Sequence, residues 1–186
     1  MAAHLAAGAI LPAALRGEAE PAPIMAAARP GLYAQGAMVG VAFGQMAHAT
    51  LNQFAGCGHA LRMTPWRMVL SEGKRAMPSA TGLITEAYDP ALRVIACSGA
   101  PRCREAHADT RGLAAALAPN IGAAARLHVS GCAKGCAHSG PAAITLVATG
   151  AGFDLVRAGS TRDEPILRGL NRDDIVRDPS ILMGGH

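Results

Sequence analysis

Two pairs of cysteines limit what this chain can fold into more than any other feature of its sequence. The first pair has five residues between its members and the second has three: Cys97 and Cys103, then Cys132 and Cys136. Each pair follows a short apolar run, residues 92–96 and residues 126–130, and such runs predict buried strands. The sequence therefore predicts a cysteine-bearing loop at the end of each of two strands.

The segment between the pairs predicts how these strands are arranged. Residues 104–117 are rich in alanine and leucine and contain no proline, which predicts a helix that ends near Pro119. A strand, helix, strand order returns the second strand parallel to the first, and parallel strands end at the same edge of a sheet. We therefore expect the four thiols to converge at that edge.

Three ligand states compete for four converging thiols. Disulfides are disfavoured, because the sequence shows no export signal and cytosolic disulfides are rare. Structural zinc prefers tight pairs with about two to four residues between the cysteines, which the gap after Cys97 fits poorly. An iron–sulfur cluster is larger, and Gly99, Gly131 and Gly135 let backbone N–H groups approach its sulfurs. Spacing alone favours the cluster and leaves zinc and unliganded buried thiols open.

Composition and charge narrow the class of function. The chain has 186 residues and a formal net charge of +4, and 51% of it is hydrophobic but only 3% aromatic. This length suits one domain or two small ones with an aliphatic core. The basic residues are scattered, so we expect no nucleic-acid partner. The apolar stretch at residues 1–11 is shorter than the ~20 residues of a membrane span, so we expect no membrane partner and a cytoplasmic location.

The residues before the cysteines predict a β-α-β unit. Residues 37–44 and residues 60–70 read as strands, and residues 45–54 between them as a helix. Pro65 interrupts the second strand, which predicts an edge position or a bulge. Residues 74–81 predict a further short helix.

Beyond the cysteines, the pattern predicts a hairpin and a short capped helix. Residues 143–148 and residues 153–157 alternate between apolar and polar side chains around a glycine-containing turn. Residues 171–176 begin with a capping asparagine followed by acids. The sequence contains no nicotinamide, P-loop or flavin motif, so we expect electrons to come from an external donor.

The cysteine spacing resembles that of the nitrite/sulfite reductase superfamily, whose four cysteines hold a [4Fe-4S] cluster. Within that superfamily, the chain most closely resembles the precorrin-3B synthases of aerobic cobalamin biosynthesis. The resemblance covers about residues 33–178 and is carried by five segments: residues 41–45, 61–67, 82–85, 96–103 and 128–138. These enzymes are internally duplicated and much longer, so the resemblance implies that this chain corresponds to the C-terminal half only.

The resemblance implies an α+β fold, in which a ferredoxin-like βαβ half-unit precedes an α/β cluster-binding domain of the nitrite/sulfite-reductase type. The implied divisions are an alanine-rich lead-in at residues 1–32, the ferredoxin-like half-domain at residues 33–90 and the cluster-binding domain at residues 91–186. It also implies a partner, which is either the missing N-terminal half or a second copy of the chain.

The resemblance further implies an iron–sulfur oxidoreductase that converts precorrin-3A to precorrin-3B by hydroxylation and lactone formation. Its cluster ligands would be Cys97, Cys103, Cys132 and Cys136. Cys136 would also bridge the cluster to a sirohaem or to a second, mononuclear non-haem iron. Arg62 and Arg67 would bind carboxylates of the tetrapyrrole substrate. Two alternatives stay open: a fragment of a sirohaem-dependent sulfite or nitrite reductase, and a non-catalytic [4Fe-4S] electron-transfer module. No residue is assigned to catalysis.

Five further residues lie close to these motifs. Cys57 and His59 are spaced like a metal pair, but Cys57 is better interpreted as a small apolar residue. His128 and His138 could donate to a cluster sulfur or ligate a nearby iron, although a histidine satisfied by its neighbours is the more common case. Lys134 stands between two predicted ligands, where a cation would offset the negative charge of a cluster.

Overall fold

The computed structural model describes residues 28–183, which form two five-stranded sheets and short helices. The α+β fold class predicted from the sequence is confirmed. Most of the predicted alanine-rich lead-in, up to residue 27, lies outside the described residues. The predicted division of the chain at residue 90 stays a prediction. Among residues 28–183, no helix is both long enough and apolar enough to cross a membrane.

The first sheet has the connectivity of a split β-α-β unit. Its strands are β1 (Gly31–Tyr33), β2 (Gly36–Val41), β3 (Leu61–Met63), β4 (Met68–Glu72) and β5 (Leu83–Ile84). Their order is β1-β2-β4-β3, with β5 also paired to β2, and all pairs are antiparallel. Because β4 lies between β2 and β3, those two strands run parallel, and helix α1 (His48–Ala55) connects them. This is the arrangement of a ferredoxin-like half-unit.

The single strand predicted over residues 60–70 is wrong, because the chain turns back at Pro65. The turn separates β3 from β4, with Thr64 N–H donating to the Met68 carbonyl at 3.1 Å. Proline has no N–H for a sheet ladder, and Arg67 takes φ 58° to complete the reversal. The short helix predicted over residues 74–81 is also wrong, since those residues form loops and turns.

The two faces of the first sheet pack differently. One face carries Val39 and Val69, which pack with Phe54 of α1 in a buried cluster. The other face carries Met38, Met68 and Leu70, which contact Trp66 and Leu92. Leu92 leads directly into the second sheet, so this second face looks toward the rest of the molecule.

The second sheet combines parallel and antiparallel pairing. Its strands are β6 (Val94–Ala96), β7 (Leu127–Ser130), β8 (Ala142–Thr149), β9 (Gly152–Gly159) and β10 (Leu167–Leu170). Their order is β10-β9-β8-β7-β6; β6, β7 and β8 run parallel, and β8, β9 and β10 alternate in direction. The predicted parallel pair and the predicted hairpin are both confirmed.

Two helices cover this sheet with an aliphatic core. Helix α2 (Thr110–Leu117) buries Leu113 and Leu117 completely, each a burial that stabilises by about 1.5–3 kcal/mol. It begins six residues later than predicted, because Asp109 caps it by accepting from the Gly112 N–H at 3.0 Å. Helix α3 (Arg172–Arg177) is capped by Asn171, as predicted.

Candidate metal centre and cavity

The two cysteine-bearing loops meet at the carboxyl edge of β6 and β7. Cys97 directly follows β6, and Gly131 directly follows β7. The Gly131 N–H donates to the Cys97 Sγ at 3.2 Å, and the His107 N–H donates to the Gly131 carbonyl at 2.9 Å. The parallel crossover therefore brings the two loops together where the sequence predicts.

A second contact joins the loops farther along. The Lys134 Nζ lies 3.1 Å from the Glu105 Oε2 in an exposed ion pair. The hydrogen bond to Glu105 raises the pKa of Lys134, and the charges of Glu105, Cys132 and Cys136 add to that effect. Lys134 therefore lies close to both thiols of the second pair, while its partner stands two residues after Cys103.

Hydrogen bonds inside each loop fix its path. In the first loop, the Cys103 N–H donates to the Gly99 carbonyl at 2.8 Å, and the buried Thr110 hydroxyl donates to the Cys97 carbonyl at 2.9 Å. In the second, the Thr161 hydroxyl donates to the Ala133 carbonyl at 2.9 Å. These bonds tie the first loop to α2 and the second loop to the segment that follows β9.

The thiols differ in exposure: Cys97, Cys103 and Cys132 are half-buried, and Cys136 is exposed. Among residues 28–183, no group of three or more His, Cys, Asp or Glu side chains could hold a single metal ion. The ligand set therefore stays a prediction. A backbone N–H directed at the Cys97 sulfur and two contacts between the loops do fit a cysteine-bound cluster, whose potential depends on such hydrogen bonds.

Cys57 and His59 have separate partners. Cys57 is exposed at the end of α1, with its Sγ 3.7 Å from the Gln53 carbonyl. The His59 Nδ1 lies 3.0 Å from the Glu72 carbonyl. These contacts support the simpler interpretation, in which neither residue serves a metal.

His128 on β7 and His138 in the loop between β7 and β8 contact each other. His128 lies on β7, is fully buried, and has no hydrogen-bond partner for either ring nitrogen among residues 28–183. The His138 ring is perpendicular to it with the centroids 5.6 Å apart, and the His138 Nε2 lies 3.2 Å from the Pro141 carbonyl. Burial lowers the pKa of His128 to about 4, with a further contribution from His138. His128 is therefore neutral at pH 7, and its ring packs against the loop that carries Cys132 and Cys136.

A cavity of about 840 Å³ lies at the opposite end of β6, and both sheets contribute to its walls. Besides four alanines, its lining includes eight larger apolar or aromatic residues: Val41, Phe43, Trp66, Met68, Ile84, Tyr88, Leu92 and Ile95. Its charged lining consists of four arginines and one aspartate: Arg29, Arg67, Arg93, Arg126 and Asp89. The cavity lining is thus mostly apolar and carries a net positive charge.

The structure separates the two arginines that the resemblance assigns to substrate carboxylates. Arg67 lines the cavity and donates to the Val94 carbonyl at 3.1 Å. Arg62 pairs with Glu72, its side chain is 69% exposed, and it lies outside the cavity lining. Sequence reasoning missed Arg93 and Arg126. The available signal was their position, since each directly precedes one strand of the predicted parallel pair.

Comparisons with known proteins show which proteins share this chain's sequence and fold. No family model matches the chain. Over 167 residues it is 30% identical to a precorrin-3B synthase from Sinorhizobium sp, an alignment that covers 78% of this chain and 36% of that protein. Its fold is similar to that of the Mycobacterium tuberculosis NirA protein, with a TM-score of 0.54 and 19% identity over 86% of this chain and 37% of NirA. The chain thus spans about a third of the length of the curated relative that it matches. The resemblance predicted from the cysteine motif is therefore confirmed, and this chain is a homologue of part of a precorrin-3B synthase.

Proposed function

We propose that this chain is the cluster-bearing part of an oxidoreductase of the precorrin-3B synthase type, acting on a tetrapyrrole. The proposal rests on one observation: the two cysteine loops contact each other at Gly131. This contact brings the Cys97–Cys103 pair and the Cys132–Cys136 pair to the same edge of the sheet. The similarity to a precorrin-3B synthase supports the reaction class. The conversion of precorrin-3A to precorrin-3B is proposed by analogy with that relative.

The proposed ligands of a [4Fe-4S] cluster are Cys97, Cys103, Cys132 and Cys136. When bound, such a cluster supplies one-electron transfer. The chain's own contribution is positional, because the Gly131 N–H orients the Cys97 sulfur and Lys134 places a cation beside the second pair. Cys136 is the exposed member, which suits the additional role of facing a second iron or a sirohaem.

On the substrate side, we assign carboxylate binding to Arg67, since it lines the cavity between the sheets. An external donor supplies the electrons. We further propose that the active site is completed by another polypeptide segment, either an N-terminal half or a second copy of the chain.

The test is metal and sulfide analysis of anaerobically purified protein. We expect iron and labile sulfide in the proportions of a [4Fe-4S] cluster, and loss of both in the Cys132→Ser variant. Cys57→Ser is the matched control and should keep full iron and sulfide content, because Cys57 is exposed and contacts Gln53. Stoichiometric zinc in the wild type, or a full cluster in Cys132→Ser, contradicts the proposal.

A sirohaem-dependent reductase is the second candidate, because the cysteine spacing resembles that of the nitrite/sulfite reductase superfamily. The visible spectrum of the same preparation separates the candidates. Sirohaem absorption bands support the reductase, and non-haem iron beyond the cluster supports the synthase. A cluster without a second metal supports an electron-transfer module.

A further inference from the structure

Three arginines from three segments converge at the amino end of β6. Arg93 directly precedes β6 and Arg126 directly precedes β7, and the register pairs the next residues, Val94 and Leu127. Arg67 reaches the same place from the turn between β3 and β4, where it donates to the Val94 carbonyl. All three line the cavity, at the end of the strands opposite to the cysteine loops.

This group of charges is not balanced within residues 28–183. None of the ion pairs in that part of the chain includes Arg67, Arg93 or Arg126. The one carboxylate that residues 28–183 contribute to the lining, Asp89, accepts from the Ala91 N–H at 2.8 Å. Burial lowers the pKa of Arg67, and the charge of Arg126 lowers it further. Like charges held together in a partly buried site favour the binding of an anion.

The three arginines differ in how many donors they have left. Arg93 donates to the Tyr88 carbonyl at 3.1 Å and to the Ile121 carbonyl at 2.8 Å. Both of its terminal nitrogens are therefore already engaged by backbone carbonyls. Arg67 uses one terminal nitrogen on Val94. The Arg126 guanidinium makes no hydrogen bond within residues 28–183, although the residue lines the cavity. Arg126 therefore has the most donors available to a ligand.

We propose that Arg67 and Arg126 form the carboxylate-binding pair of this cavity, and that its ligand is a flat apolar macrocycle with carboxylates at its periphery. Apolar and aromatic walls contact the body of such a ligand, and guanidinium groups match carboxylates with paired hydrogen bonds. The inference rests on the proposed function and deepens it, because it replaces Arg62 by Arg126 as the second binding residue.

Trp66 gives a direct readout, since it is the chain's only tryptophan and lines the cavity. The full-length chain is titrated with uroporphyrin, a carboxylate-rich porphyrin, and with mesoporphyrin, which carries fewer carboxylates. Quenching of Trp66 fluorescence, corrected for absorption by the porphyrin, gives the dissociation constants. We expect tighter binding of uroporphyrin, and about tenfold weaker binding in Arg126→Gln and in Arg67→Gln. Arg177→Gln is the control, because that exposed arginine pairs with Asp174 on α3 and should not affect binding.

Arg126→Gln decides the test, because the guanidinium of this exposed residue makes no hydrogen bond within residues 28–183 and the variant should keep the wild-type melting temperature. Equal uroporphyrin affinity in Arg126→Gln and the wild type overturns the inference, as does undetectable binding to the wild type. Equal affinity for the two porphyrins also overturns it. The readout does not depend on iron. Arginine-dependent porphyrin binding by a chain that holds no cluster would refute the proposed electron transfer and support this inference. A chain that holds the cluster but binds porphyrin independently of Arg67 and Arg126 would support the proposed electron transfer and refute this inference.

Discussion

Gly131 is the point at which the two cysteine loops touch, and its replacement by alanine tests that contact. An added Cβ would lie 2.7 Å from the Ala106 Cβ and 3.4 Å from the Cys97 Sγ. Real Cβ atoms do not approach another carbon to 2.7 Å, so one loop must move. The neighbours cannot swing aside, because the Gly131 carbonyl and N–H are both bonded to the first loop.

The expected loss of stability follows from the overpacking that the added methyl group causes. Extra methyl groups in a packed site destabilise by about 1–3 kcal/mol, and each kcal/mol lowers the melting temperature of a chain of this size by about 2–4 °C. We therefore expect Gly131→Ala to lower the melting temperature by roughly 2–12 °C. The displacement also moves Cys97 relative to Cys132. We therefore expect Gly131→Ala to lose iron incorporation even at temperatures where it remains folded.

The assay is thermal unfolding followed by circular dichroism, together with iron content after anaerobic reconstitution. Gly150→Ala is the matched control, since a Cβ at Gly150 meets nothing within 4 Å. It also corrects for the entropy that any glycine-to-alanine change removes from the unfolded chain. If Gly131→Ala melts and binds iron like Gly150→Ala, the loops do not meet as described.

Two further predictions concern the neighbours of the cysteine loops. His128 has a pKa of about 4 when folded and about 6.5 when unfolded, so stability of about 3 kcal/mol is present above pH 6.5 and is lost as the pH falls toward 4. The free energy of unfolding, measured by chemical denaturation at several pH values, should fall between pH 6.5 and pH 4 in the wild type and fall less in His128→Leu. An equal fall in the two proteins would refute the contribution of His128. Lys134→Met should leave the melting temperature nearly unchanged, because its pair with Glu105 is exposed, but should lower the reduction potential of the cluster. Glu105→Gln should raise that potential, and equal potentials in both variants would show that neither charge acts on the cluster.

Much of the second sheet follows from sequence pattern. Two apolar runs separated by a helix-forming stretch predict the parallel pair of β6 and β7, because few other connections are sterically favoured. The sequence predicts too early a start for α2, since the alanine-containing residues before Asp109 have high helix propensity. Their backbone groups instead bond across the loops, as His107 does to Gly131.

The first sheet and the cavity were less accessible to sequence reasoning. Pro65 predicts an edge position or a bulge in one strand, but a proline with a residue of positive φ two positions later reverses the chain. β1, β5 and β10 are only two to four residues long, too short for a periodic signal. The arginine group at the cavity depends on the register of β6 and β7, which brings Arg93 and Arg126 from distant segments to one place.

We propose that one iron–sulfur cluster is held at the carboxyl edge of β6 and β7. Anomalous diffraction at the iron absorption edge, from crystals of anaerobically prepared protein, tests it most directly. We expect one compact iron peak within bonding distance of the Sγ atoms of Cys97, Cys103, Cys132 and Cys136. An iron peak away from these sulfurs, or a zinc peak in their midst, would contradict it.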